Sequence, residues 1–346
     1  MIDFQKYIIS EKASIKDALV TLNKLSGDVL TLFVIDKNGC MTGTLTDGDI
    51  RRKLVEGYTL EEKVVNAMHT DFRYVEDNNV DVEKIKAFRE AGIILLPTLD
   101  TGRHIVRVYN LKKRRSILPF DAVLMAGGKG ERLRPLTEHT PKPLLKVGGK
   151  AIIDYNVDRL ISFGVEHISV TVNYLKEQLE SHFEEPREGI QVKCVREPAF
   201  LGTMGSLKFV NTFHNDVVLV MNSDLFTNID YEYFYLSFVN CGADVLAAAI
   251  PYTVNIPYGV FDLEESAIKG IEEKPAYDYY VNAGIYLIKR ELLDQIPDNT
   301  YYDATDLIKK LATDGYKVVR FPLTGYWIDI GKHEDYKRVQ ELVEHL

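Results

Sequence analysis

The stretch that most constrains the fold is Ala122 to Leu145, AVLMAGGKGERLRPLTEHTPKPLL, where an apolar run (Ala122 to Met125) stops at Gly127-Gly128 and is followed by Gly130, Arg132 and Lys142. A short β-rich run that breaks at glycines turns sharply and leaves backbone N–H groups facing outward with no Cβ in the way. Such a loop after a strand is a cradle for phosphate oxygens. Arg132 adds a planar fork of donors and Lys142 a point charge, held between Pro141 and Pro143, which keep the local backbone extended.

The rest of the chain tells what such a loop is built into. From residue 118 onward, apolar β-rich runs at Ala122 to Met125, His167 to Val172, Gln191 to Val195, Val217 to Met221 and Val245 to Ile250 alternate with helical spacing at Ile153 to Phe163 and Leu175 to Phe183. Strands separated by helices predict βαβ units: an α/β, Rossmann-like, mixed but mainly parallel sheet with its ligand crevice at the C-terminal strand ends. Tyr258 to Leu263, Ala267 to Glu272, Tyr280 to Ile288 and Lys317 to Phe321 read as shorter antiparallel strands, placed to cover that edge.

At 346 residues the chain is long enough for two cores, and the basic run Lys112 to Arg115 marks a junction. The expected division is 1–117 and 118–346. A net charge of −9 argues against nucleic acid as partner, while leaving room for a local cationic cluster around a small phosphate ligand. Three scattered cysteines, no basic-then-apolar leader and no apolar run of membrane-spanning length point to the cytoplasm, with no membrane partner.

The first part contains two similar units. Ser14 to Lys24 has helical spacing, followed by strands at Leu30 to Ile35 and Met41 to Thr44 and a helix starting near Asp47. Asp81 to Ala91, Ile93 to Thr98 and Ile105 to Tyr109 repeat the order. This helix–strand–strand–helix repeat resembles a pair of cystathionine-β-synthase (CBS) domains, an α+β module. Gly43 to Arg52 carries that family's threonine and aspartate positions at Thr46 and Asp49. The resemblance implies an adenine nucleotide with its ribose on Asp49 and its phosphates near Thr46. In the second unit Arg107 and Asn110 stand where threonine and aspartate belong. The other reading is an assembly module, with Asp49 capping its helix and the chain a homo-oligomer.

In the second part, GGKGERLRPLTEHTPKPLL resembles the signature of the sugar-1-phosphate nucleotidylyltransferases, as found in mannose-1-phosphate guanylyltransferases, with nucleotide-diphospho-sugar transferase folds. The resemblance implies that an NTP and a sugar 1-phosphate give an NDP-sugar and pyrophosphate. Ala126, Gly127, Gly128, Gly130 and Arg132 then hold the triphosphate, and Lys142 acts near the reacting phosphates. Asp224, after the apolar strand Val217 to Met221, fits the metal-binding aspartate, and Asp329 in Trp327-Ile328-Asp329-Ile330-Gly331 its partner, both on Mg²⁺. A helix cap is the alternative for Asp224 and core packing for Trp327.

Glu272-Glu273-Lys274-Pro275 is similar to that family's sugar-phosphate motif, with Glu273 on hydroxyls and Lys274 on the phosphate; an exposed charged hairpin edge is the alternative. Gly259 and the Asn282-Ala283-Gly284 segment complete the sugar side. Gly202, Thr203 and Gly205 (EPAFLGTMG) fit the base-binding segment, with Met204 where alanine is usual.

A phosphate monoester is already anionic near neutral pH, so in-line attack needs no general base and rests on positioning and charge neutralisation. A CBS pair ahead of such an enzyme resembles suppliers of GDP-linked sugars for bacterial surface glycans, which favours guanine over thymine, uracil or cytosine. A non-catalytic sensor of nucleotides or sugar nucleotides, and a glycosyltransferase, are the competing classes. The sensor is disfavoured by the complete set of cations and carboxylates, and the glycosyltransferase by Asn222-Ser223-Asp224 in place of D-x-D.

Overall fold

Ser14 and Asp17 open the first helix by satisfying each other's backbone N–H groups, a reciprocal cap that fixes where it starts. The computed structural model describes residues 3–77 and 80–345. It divides into two compact units, one running to Leu118 and including Ser162–Gly164, the other holding Pro119–Ile161 and the chain from Val165.

In the first unit, β1 (Ile8–Ser10), α1 (Ile15–Lys24), β2 (Thr31–Ile35), β3 (Met41–Thr46) and α2 (Asp47–Val55) are followed by β4 (Val75–Glu76), α3 (Val82–Glu90), β5 (Leu95–Leu99) and β6 (Ile105–Asn110). Each half forms a three-stranded sheet, β1-β2-β3 or β4-β5-β6, in which the first pair is parallel and the second antiparallel. The repeat is therefore strand–helix–strand–strand. Among the described residues a following helix occurs only in the first half, where Thr46 and Asp49 cap it; after β6, Asn110 accepts from the Lys112 and Lys113 N–H groups in a turn. The short strands β1 and β4 carry too few residues to show a periodicity. Apolar side chains of both halves, Phe33 and Leu45 with Leu95 and Val108, share one core.

The second unit is a seven-stranded sheet of order β11-β10-β7-β12-β17-β14-β18. Its strands are β7 (Asp121–Met125), β10 (Ile168–Val172), β11 (Val192–Arg196), β12 (Val217–Asn222), β14 (Val245–Asn255), β17 (Ala276–Lys289) and β18 (Val318–Pro322). Only β17 runs against its neighbours. Lys317 to Phe321 does not form the expected antiparallel strand. The chain returns through α8 (Ala304–Thr313) and enters β18 parallel to β14. Tyr280 to Ile288 is part of a strand of 14 residues, not a short one. The remaining helices are α4 (Ile152–Ser162), α5 (Lys176–His182), α6 (Gly202–Gly205), α7 (Tyr231–Cys241) and α9 (His333–Val343). Three small pairs, β8 (Lys146–Val147) with β9 (Lys150–Ala151), β13 (Leu225–Thr227) with β19 (Trp327–Asp329), and β15 (Val260–Glu264) with β16 (Ala267–Glu272), lie outside the sheet. Leu219 and Leu246 are buried like Val123, as continuous apolar strands covered on both faces require. No helix among the described residues is long and apolar enough to cross a membrane.

Candidate active site

Strand β7 lies between β10 and β12, and its C-terminal end at Met125 opens into the loop Ala126–Gly130. The loop is clamped at both ends. Ser223 Oγ donates to Met125 O at 2.7 Å, and Thr137 Oγ1 to Gly130 O at 2.9 Å. Gly130 takes a positive φ of 61°, and a Cβ there would lie 3.1 Å from both Lys142 Cβ and Thr137 Cγ2. Gly128 faces open space, so its backbone is accessible to a ligand.

Pro141 is extended, and Lys142 begins a short 3-10 turn with its side chain only 11% exposed. Its ammonium donates to Asp224 Oδ2 and lies 3.7 Å from Asp329 Oδ1. A lysine this buried with two carboxylates is not a solvated surface residue.

Asp224 and Asp329 are 105 positions apart in sequence and meet because β13 pairs antiparallel with β19, Leu225 opposite Asp329. Ile330 N donates to Asp224 O at 3.3 Å, and buried Asn156 of α4 donates to the carbonyls of Ser223 and Leu225 at 3.3 and 2.8 Å, so both neighbours of Asp224 are held. Trp327 Nε1 donates to Ala283 O at 2.8 Å, so the single tryptophan ties β19 to the sheet. Asp224 Oδ1 is buried without a hydrogen-bond partner among the described residues. Burial first, and then the Asp224 carboxylate, hold the Asp329 carboxyl above its ordinary range, against the pull of Lys142 and Arg132. Arg132 itself is exposed and stands against Gly331, where a Cβ would lie 3.3 Å from its Nη2.

Two adjoining cavities result. One encloses about 680 Å³ and is lined by Ala126 to Gly130, Arg132, Lys142, Gly202, Thr203 and Asp224. The other, about 290 Å³, is lined by Asn282, Gly284, Asp303 and Asp329. Thr203 and Asn222 belong to both walls. Asp303 Oδ1 accepts from Thr203 N at 3.0 Å, and Thr203 Oγ1 accepts from Ala304 N at 2.8 Å, so the start of α8 supports the shared wall. Asn282 donates to the Tyr286 hydroxyl at 2.6 Å and accepts from Gly284 N at 3.0 Å. Gly259, Glu273 and Lys274 line neither cavity. Glu273 and Lys274 are exposed at the end of β16, and a Cβ on Gly259 would lie 3.0 Å from Glu273 Oε2.

Glu197, the first residue of the EPAFLGTMG segment, carries no expected role in the sequence. It follows β11, is 4% exposed, and lines the larger cavity so tightly that a Cβ on Gly127 would lie 2.4 Å from its Oε1. Burial pushes its carboxyl above the ordinary range. The sequence signal is a lone acid directly after a short strand.

A model of the Nucleotidyl transferase family matches residues 121–345, the whole of the second unit's sheet and site. The chain belongs to the nucleotidyl transferase family. It is 30% identical over 226 residues to a mannose-1-phosphate guanylyltransferase of Mycobacterium tuberculosis, covering 63% of each chain. It is also 30% identical over 236 residues to a UTP–glucose-1-phosphate uridylyltransferase of Synechocystis, covering 62% of this chain and 61% of that one. The chain thus spans about three fifths of the length of the curated relatives it matches. The fold is shared with HddC from Yersinia pseudotuberculosis, crystallised with GMP-PN, at a TM-score of 0.50 and 23% identity over 65% of this chain and 99% of that one.

Proposed function

We propose that this member of the family joins an NTP to a hexose or hexosamine 1-phosphate, releasing pyrophosphate. The observation that carries the reading is the meeting of Lys142, Asp224 and Asp329 between two cavities that share a wall. One cavity has a glycine loop and Arg132 for a triphosphate, the other Asn282, Gly284 and Asp303 for sugar hydroxyls. The sugar phosphate oxygen attacks the α-phosphorus in line, with pyrophosphate leaving toward Arg132. Lys142 lowers the repulsion between the two anions as they approach.

The residues fit a divalent cation. Asp224 Oδ1 is a buried acceptor that no donor among the described residues satisfies, and Asp329 is raised by burial and then by the Asp224 charge, which a cation would neutralise. Asp224 and Asp329 would hold Mg²⁺, which supplies neutralisation of charge between the α-phosphate and the departing pyrophosphate. Glu197 supports guanine as the base. A carboxylate offers two acceptors to the adjacent N1–H and N2–H donors of guanine, whereas thymine and uracil present one such N–H.

Gly259, Glu273 and Lys274 act on the sugar phosphate in this reading, from the exposed hairpin. The first unit is a CBS-type pair that controls or assembles the enzyme, with Thr46 and Asp49 as the contacts for an adenine nucleotide. Burial disfavours charge on Asp49, but hydrogen bonds from Thr46 and the Arg52 guanidinium outweigh it and keep the carboxyl below its ordinary range, ready to accept. Its three unpaired thiols accord with a cytoplasmic setting, where the product would feed surface-glycan synthesis. The decisive experiment is a pyrophosphate-release screen of GTP, dTTP, UTP, CTP and ATP against a panel of hexose and hexosamine 1-phosphates. Turnover with GTP and one sugar phosphate is expected; no release from any pair rejects the reading.

A further inference from the structure

The two halves of the first unit repeat one turn, and the repeat brings a thiol to an imidazole. Between β2 and β3, Ile35 is opposite Met41; between β5 and β6, Leu99 is opposite Ile105. Asp36 and Asp100 therefore hold equivalent places, as do Cys40 and His104. In each turn the aspartate accepts from the backbone N–H four residues on. Cys40 N donates to Asp36 Oδ1 at 2.9 Å, and His104 N donates to Asp100 Oδ1 at 2.8 Å. The turns meet in an antiparallel bridge between Cys40 and His104, beside which Met41 N donates to Arg103 O at 2.9 Å. Both backbones are thus fixed, and Cys40 Sγ lies 3.9 Å from His104 Nε2.

The other ring nitrogen, His104 Nδ1, lies 3.3 and 3.2 Å from the two Asp100 oxygens. Hydrogen bonds from His104, its backbone N–H first, hold the Asp100 carboxyl below its ordinary range. An anion there keeps the proton on Nδ1 and leaves the Nε2 lone pair toward the thiol. Thiol, imidazole and orienting carboxylate in that order are the arrangement that activates a nucleophile. The other charged side chains of the two turns are turned elsewhere. Asp36 accepts from the Asn38 and Cys40 N–H groups, Arg103 stands over the Phe72 and Tyr74 rings, and Lys37 is exposed. Cys40 is half-buried and the His104 side chain half-exposed, so a small reagent can reach both. The other two thiols face acceptors of a different kind: Cys194 Sγ donates to Leu179 O and Cys241 Sγ to Phe238 O, each at 3.6 Å. Burial also pushes the Cys194 thiol up to about 11.

We infer that Cys40 is a reactive thiol that hydroperoxides oxidise, with His104 as its base and Asp100 orienting the ring. His104 Nε2 takes the thiol proton, and the sulfur attacks one oxygen of hydrogen peroxide. An S–O bond forms as the O–O bond breaks, and the leaving hydroxide takes the proton from Nε2 and departs as water. The sulfur is oxidised by two electrons to a sulfenic acid, and the peroxide is reduced by two. The added oxygen stands where the two half-turns meet. The inference is independent of the reaction proposed for the second unit.

The test uses the full chain, with each cysteine followed by peptide mass spectrometry. At pH 7 iodoacetamide is expected to alkylate Cys40 about tenfold faster than Cys194 or Cys241, and dimedone to trap Cys40 after treatment with hydrogen peroxide. His104→Gln keeps the bulk of the ring but cannot hold the proton. Its Cys40 should react about tenfold more slowly at pH 7 and at the parent's rate at about pH 10, where an accessible thiol ionises unaided. Asp100→Asn, which still accepts from His104 N but carries no charge, should slow the reaction in the same direction, and it replaces His104→Gln if that variant changes the far-ultraviolet circular dichroism spectrum. Equal rates at the three cysteines, no dimedone adduct on Cys40, or an unchanged rate in a folded variant overturns the inference. A loss that persists at pH 10 also overturns it, because it reports access to the thiol and not a base.

Discussion

The Lys142 ammonium donates to the Asp224 carboxylate across 82 positions of sequence, and both line the larger cavity. That contact brings a cation to the carboxylate pair before any ligand arrives. Removing it leaves Asp224 and Asp329 as neighbouring like charges in a partly buried site. Lys142→Met keeps most of the volume and deletes the charge. It is expected to lower turnover by about 10²–10³-fold, the range seen when one stabilising donor is lost. Its melting temperature should also fall at neutral pH and recover when Mg²⁺ is added. Steady-state pyrophosphate release and thermal melts with and without Mg²⁺ decide the matter; near-normal turnover refutes a role at the reacting phosphates.

Asp329 gives a prediction in which stability and activity move in opposite directions. Its folded-state carboxyl titrates above the ordinary value of 3.8, so the native state favours the neutral form. The associated stability is fully present below 3.8 and is lost as pH rises through the folded value. Asp329→Asn keeps a neutral side chain of the same shape at every pH. The variant should therefore match the parent at low pH and melt at a higher temperature as pH climbs to neutrality, while losing metal-dependent turnover. A variant less stable than the parent at neutral pH contradicts the assignment.

How much of this was legible beforehand follows from what each element rests on. Strands such as Val217–Asn222 are mostly apolar, valine-rich runs, and helices such as Ile15–Lys24 open on a capping residue, so both are written locally. The pairing of Leu225 with Asp329 is a long-range register that no local pattern encodes. Only the family resemblance brought Asp224 and Asp329 together. The parallel entry of β18 was missed for a related reason: strand direction depends on the route through α8, not on the residues of β18. Glu197 went unassigned because a single acid after a strand looks like any other loop residue until its burial is known.

Glu197 in turn tests the choice of base. Glu197→Gln keeps the shape but turns one acceptor oxygen into a donor facing the base. With GTP, kcat/KM should fall about 10–100-fold, the worth of one hydrogen bond to a charged group. The pyrimidine triphosphates should change far less, so the ratio between GTP and UTP is the informative measurement. An equal loss with all bases would place Glu197 in the support of the glycine loop, which it touches at Gly127, and not in base recognition.

The last prediction separates the two roles of the Thr46–Asp49 pair. Thr46 Oγ1 accepts from Asp49 N at 3.2 Å and Asp49 Oδ2 accepts from Thr46 N at 2.8 Å, so the pair closes the start of α2. Thr46→Ala removes one half of that cap and should destabilise the chain by about 1 kcal/mol, the usual worth of such a residue. If the pair also holds an adenine nucleotide, AMP, ADP or ATP will raise the melting temperature of the parent chain, and the rise will disappear in Asp49→Asn, which keeps an acceptor at the helix start but loses the charge. If no adenine nucleotide shifts the parent, the pair is a cap alone and the first unit acts through assembly. Melting curves of the full chain over a nucleotide series distinguish the outcomes, since ligand-linked stabilisation grows with the logarithm of ligand concentration and a cap contributes a constant amount.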